Sequence, residues 1–278
     1  MNKTAVWAIA RKDMRSMTSN KQIWISMIVL PIIFGLLFPT AAVFLGKNMD
    51  LSSGKNERMY HNLTSNMPDQ LQALLNLNPG MSPNEQIVYF FLNFMCPSFF
   101  LLIPMITTTM IAANSMVGEK ERRTMESLLF APITVLELFL GKVLSAFIPA
   151  LAVSFGTFLG FAVLVDALTY NMFHTLIIPN VNWLTLMFWV IPTMTLCVIL
   201  FNVLISARVK TFQAAQNLSG VIVLPVVLLV VSNASGLLLF GPLPMLIFGG
   251  VVLLLSLLFL TRITKWNQRH VLFEKQIH

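Results

Sequence analysis

The sequence predicts an all-helical, polytopic integral membrane protein with six transmembrane helices, and three observations carry that expectation. Of 278 residues, 56% are hydrophobic and only 10% charged, where a soluble domain holds about 25% charged residues. Mean hydropathy is +0.78. Lys and Arg cluster between apolar runs long enough to cross a bilayer core of about 30 Å, which takes about 20 residues of helix. The same composition excludes a disordered chain, a disulfide scaffold and a standalone nucleic-acid binder. Cys96 and Cys197 lie inside apolar runs and read as small hydrophobes.

Residues 1–22 form the first element. Trp7, Ala10, Met14 and Met17 repeat at helical spacing while Arg11, Lys12 and Arg15 sit off that stripe. This pattern suits a helix in the headgroup layer, anchored by Trp7 and the basic residues; the alternative is a solvated basic leader. The membrane domain follows over 23–261. Its first span, Ile23 to Gly46, is too long for the apolar core of a signal peptide and is read as an anchor. The external loop 47–86 is either a small cap or a flexible connector. The second span runs from Ile87 to Ala113, the third from about Val143 to Val165, and the fourth from Trp183 to Ser206. Asp166 reads as the aspartate that starts the next loop.

The last two spans are less sharply divided. The fifth starts at Leu218 and the sixth ends near Thr261, with Ser232, Asn233, Ala234, Ser235 and Gly236 interrupting the apolar run. We read an external re-entrant turn over 232–244, since irregular backbone at membrane depth must be covered by protein or water. Residues 262–278 form a tail. Orientation follows from the basic residues: 15 of the 18 Lys and Arg fall before the first span, between the second and third, after the fourth and after the sixth. Basic loops stay in the cytoplasm, so both termini are expected there. That topology accounts for the +7 net charge without a nucleic-acid partner.

The connection between the second and third spans is the most informative stretch. It reads Glu119-Lys120-Glu121-Arg122-Arg123-Thr124-Met125-Glu126-Ser127-Leu128-Leu129-Phe130-Ala131-Pro132. Glu119 with Arg123, and Arg122 with Glu126, lie four apart, so a helix over 118–131 stacks opposite charges at about 0.2 to 0.5 kcal/mol per pair. Met125, Leu128 and Leu129 make a narrow apolar face, and Pro132 ends the helix.

With six spans and an amphipathic leader, this motif, continued by Ala131-Pro132-Ile133 and Gly141-Lys142, resembles the membrane subunits of type-2 ATP-binding-cassette exporters. The likeness is strongest from Val117 to Ala150. It implies that 118–131 is a coupling helix docking on a cytosolic ATPase through Glu119, Glu121, Arg122, Arg123, Thr124 and Glu126. Arg123 stands where the family often has a small or polar residue. The resemblance further implies a permease that pairs with itself or a sister permease and binds two ATPase subunits. Those subunits would use ATP and magnesium, while the permease itself holds no cofactor. The expected location is the plasma membrane of a bacterium or archaeon, and the long external loop leans toward the drug- and ion-efflux branch.

The residues agree with an external motor. No Gly-Lys pair is followed by Ser or Thr, so no P-loop is present, and no His-Glu-x-x-His or Gly-x-Ser-x-Gly motif supports intramembrane catalysis. The chain is therefore read as a transport permease and not an enzyme. A secondary carrier, the main alternative, would hold ionisable residues at mid-depth, and the six runs hold none. A non-transport scaffold or sensor is the other alternative. Candidate pathway or helix-packing residues are Asn93, Thr107, Thr108, Asn202, and the small-residue positions Gly156 and Gly160, whose contact is either within one chain or across a dimer. Prolines in the spans predict bent helices.

Overall fold

The computed structural model describes residues 2–19, 21–48, 81–115, 134–206, 208–209, 211–235 and 241–266, and among them there is no strand. Among the described residues six helices are long and apolar enough to cross a membrane: Met27–Asn48, Pro83–Ala113, Leu136–Phe173, Val181–Ser206, Gln213–Asn233 and Pro242–Ile263. We call them the first to sixth spans. An amino-terminal helix, Lys3–Ser19, precedes them. The second and fourth spans are central, with 56% and 61% of their most apolar stretches buried against 17–33% in the others. Leu92, Cys96 and Phe100 of the second meet Trp183, Val190 and Val198 of the fourth in the main core. Phe100, Phe161 and Trp183 close it as a knot of rings 4.8 to 5.0 Å apart. The first, fifth and sixth spans keep outward apolar faces, including Phe44, Leu228 and Leu254.

The span boundaries differ from the hydropathy reading where a polar residue has a partner. The second span starts at Pro83 and not Ile87, because Ser82 and Glu85 form a capping box. The third helix runs Val135–Phe173, 39 residues or about 58 Å, twice the bilayer core. It passes through both polar residues that ended the apolar run. Lys142 is held by neighbours described below. Asp166 starts no loop: it lies inside the helix and turns the following segment back, its Oδ1 accepting from the Ile177 and Ile178 amides at 3.0 and 3.2 Å.

The fifth span begins earlier than Leu218, because Thr211 caps a helix at Phe212 by accepting from the Ala214 amide. At its far end Ser232 and Asn233 belong to the helix that runs Leu224–Ala234. Asn233 points inward and donates to Phe94 O (2.5 Å) and Ser98 Oγ (2.9 Å) of the second span. Pro242 and Pro244 sit in the first turn of the sixth helix. Only 236–240 of the expected re-entrant turn, and most of the external loop, lie outside the described residues.

Prolines widen the spans as well as bending them. Wide π turns occupy Ile32–Leu37, Phe91–Met95 and Leu186–Val190, and each ends two residues before a proline, Pro39, Pro97 and Pro192. A proline has no N–H and its ring crowds the carbonyl four residues back, so an extra residue per turn relieves the clash. In the second span the carbonyl freed by Pro97 belongs to Asn93, and it accepts from Asn182 Nδ2 of the fourth span at 3.1 Å.

Candidate functional site

The expected docking residues Glu119, Glu121, Arg122, Arg123, Thr124 and Glu126 lie outside the described residues, as does all of 116–133. Both roots of that segment are described. Asn114 and Ser115 close the second span, and Thr134 caps the third helix. The Thr134 hydroxyl accepts from the Glu137 amide, and Glu137 Oε2 accepts from the Thr134 amide. This is a capping box, readable in the sequence as Thr134-x-x-Glu137.

The amino-terminal helix lies across both roots. Asn2 caps its start by accepting from the Thr4 amide, and the Asn2 amide donates to Glu137 Oε1 at 2.5 Å. Further along, Asp13 Oδ2 accepts from Ser115 Oγ at 2.6 Å. Lys142 Nζ stands 3.6 Å from the same oxygen and donates to the Ser115 carbonyl at 2.5 Å. Asp13 and Lys142 are only 4% and 3% exposed. One buried ion pair thus binds three elements: the amino-terminal helix, the end of the second span and the start of the third. The close approach requires Gly141, where a Cβ would lie 2.8 Å from Ile9 Cβ and 3.1 Å from the Val6 carbonyl.

This packing turns the amino-terminal helix by about one residue from the expected stripe. Its buried face is Val6, Ile9, Ala10, Asp13 and Met17, while Trp7 is 51% exposed. Arg11, Lys12 and Arg15 are exposed, with Lys12 Nζ 3.5 Å from Asp13 Oδ1. The sequence reading missed Asp13, Ser115, Glu137 and Lys142 as a set. One signal was present: Asp13 is the sole acid among the first 49 residues, and it falls at helical spacing from Val6, Ile9, Ala10 and Met17.

The other candidates divide. Asn93 Nδ2 donates to the Tyr89 carbonyl at 3.0 Å, and its Oδ1 accepts from Asn180 Nδ2. Asn202 Oδ1 accepts from Ser219 Oγ at 2.7 Å, tying the fourth span to the fifth. Thr107 bonds back to the Ile103 carbonyl of its own helix. The Thr108 hydroxyl is buried with no hydrogen-bond partner among the described residues. Gly160 meets Leu36 at 3.4 Å, but at Gly156 none of the described residues comes within 4 Å of where a Cβ would stand.

A bundle of six apolar helices, tied by a buried ionic clamp and by polar bonds between spans, defines a multi-pass membrane protein. A profile described as ABC-2 family transporter protein matches residues 7–268, and the chain belongs to that family. It is thus the permease component of an ATP-binding-cassette transporter, and in such systems ATP hydrolysis resides in separate subunits that the permease associates with. No curated protein matches the chain.

Proposed function

We propose that this permease is the membrane subunit of an ATP-driven exporter, with both termini in the cytoplasm and the 118–131 helix as the handle for two ATPase subunits. The observation that carries the reading is the family match over 7–268. The anchoring of both roots of 116–133 on the amino-terminal helix supports it. ATP and magnesium act in the partner subunits. Their closure pushes on the Glu119 to Phe130 helix, and the long third helix carries that push across the bilayer as alternating access or lateral export.

The permease works as a pair, with itself or with a sister permease, in a bacterial or archaeal plasma membrane. Its long external loop fits the drug- and ion-efflux branch. Charge reversal by Glu121→Arg or Arg122→Glu is expected to remove the ATPase from the purified complex while membrane insertion stays normal. Unchanged co-purification of the ATPase with both variants would contradict the assignment of the handle.

A further inference from the structure

Two facts about the clamp are independent of what docks on 116–133. First, the amino-terminal helix holds one root through Asp13 and the other through the Asn2 amide, so it spans the opening between the second and third spans like a splint. Second, the pair at its centre is almost fully buried. A buried pair is a poor source of net stability compared with apolar side chains of the same size, and its best-attested use is to fix one arrangement among several. Asp13, Ser115 and Lys142 each touch the other two, and Lys142 is the member on the third helix: it faces Asp13 and donates to the Ser115 carbonyl.

We propose that Lys142 is the positioning residue for coupling: it makes the amino-terminal helix, the exit of the second span and the third helix one rigid body, so that force on 116–133 reaches the far end of the third helix. This rests on the exporter reading above. Asp166, further along the same helix, provides the receiver, because it holds the Ile177 and Ile178 amides at the opposite end. A displacement of the helix therefore changes how often those amides open.

The test uses the permease purified with its ATPase, trapped with ATP and vanadate, with hydrogen exchange read at Ile177 and Ile178. In the wild type, trapping is expected to change exchange there by about tenfold, in the range of ordinary allosteric coupling. Lys142→Met is expected to keep ATPase co-purification and ATP hydrolysis but to lose that change. Lys142→Arg, which keeps a positive charge beside Asp13, is expected to keep the response. A Lys142→Met complex that responds like the wild type overturns the proposal. If Lys142→Met fails to insert, Asp13→Asn, which keeps an acceptor for Ser115 but breaks the ion pair, is expected to lose the response, and a wild-type response from it overturns the proposal. A wild-type preparation with no ATPase overturns the exporter reading and this proposal together, whereas an ATPase present beside an unimpaired Lys142→Met overturns only the latter.

Discussion

Gly141 and Gly156 stand on the same helix in opposite surroundings, and residue-scale predictions follow from that difference. A methyl at Gly141 runs into Ile9 and the Val6 carbonyl, whereas one at Gly156 meets none of the described residues. Gly141→Ala is therefore expected to cost about 1 to 3 kcal/mol, the usual range for overpacking. Gly156→Ala should be neutral or stabilise by up to about 1 kcal/mol through helix preference. Thermal unfolding followed by exposure of the buried Cys96 and Cys197 thiols checks both. The small-residue spacing was legible in the sequence, but which glycine packs was not. Spacing places residues on a face, and only the neighbouring helix decides whether that face is covered. The same limit hid the Asp13–Lys142 pair: Lys142, read alone, was one more basic residue between two spans, and nothing near it in the sequence pointed to Asp13.

At the scale of elements, prolines and polar residues set where the spans widen and how they join. The prolines were visible in the sequence and predicted bending. Unseen was that Pro97 frees the Asn93 carbonyl and that Asn182 then fills the missing donor. A double-mutant cycle isolates this dependence. Asn182→Ala should cost on the order of 0.6 to 1.7 kcal/mol, the range for interhelical bonds in membranes. In a Pro97→Ala background, where residue 97 regains its own N–H, that cost should fall by at least about half. Equal costs in both backgrounds would mean that the proline does not create the need. Asn233 teaches a related lesson. Hydropathy read it as a break in the fifth span, yet it turns inward to Phe94 and Ser98 of the second. A polar residue with a partner costs the span little, and the partner lies more than a hundred residues away in the chain.

For the whole molecule, composition and run length were sufficient for the six spans, because the need to bury about 20 apolar residues per crossing leaves few alternatives. Orientation rests on the asymmetry of Lys and Arg. Lys55→Cys is expected to react on intact cells with a maleimide that does not cross membranes, and Arg208→Cys only after the cells are opened. The reverse pattern would invert the topology and put 116–133 outside. The expectation of a docking segment came from its charge pattern and its resemblance to a family, while the clamp at the roots of 116–133 required coordinates. Sequence shows which residues repeat in a helix, but a pair that joins residue 13 to residue 142 has no local signature.

The central claim is that an external ATPase grips the segment between the second and third spans. The most direct measurement places a photoreactive amino acid at Thr124 in the native membrane, cross-links on illumination, and sequences the captured partner. The account predicts a cytosolic protein with a Gly-x-x-x-x-Gly-Lys-Ser/Thr phosphate loop, captured less when Glu121 is reversed. A captured partner without that loop, or cross-links to lipid alone, would contradict it.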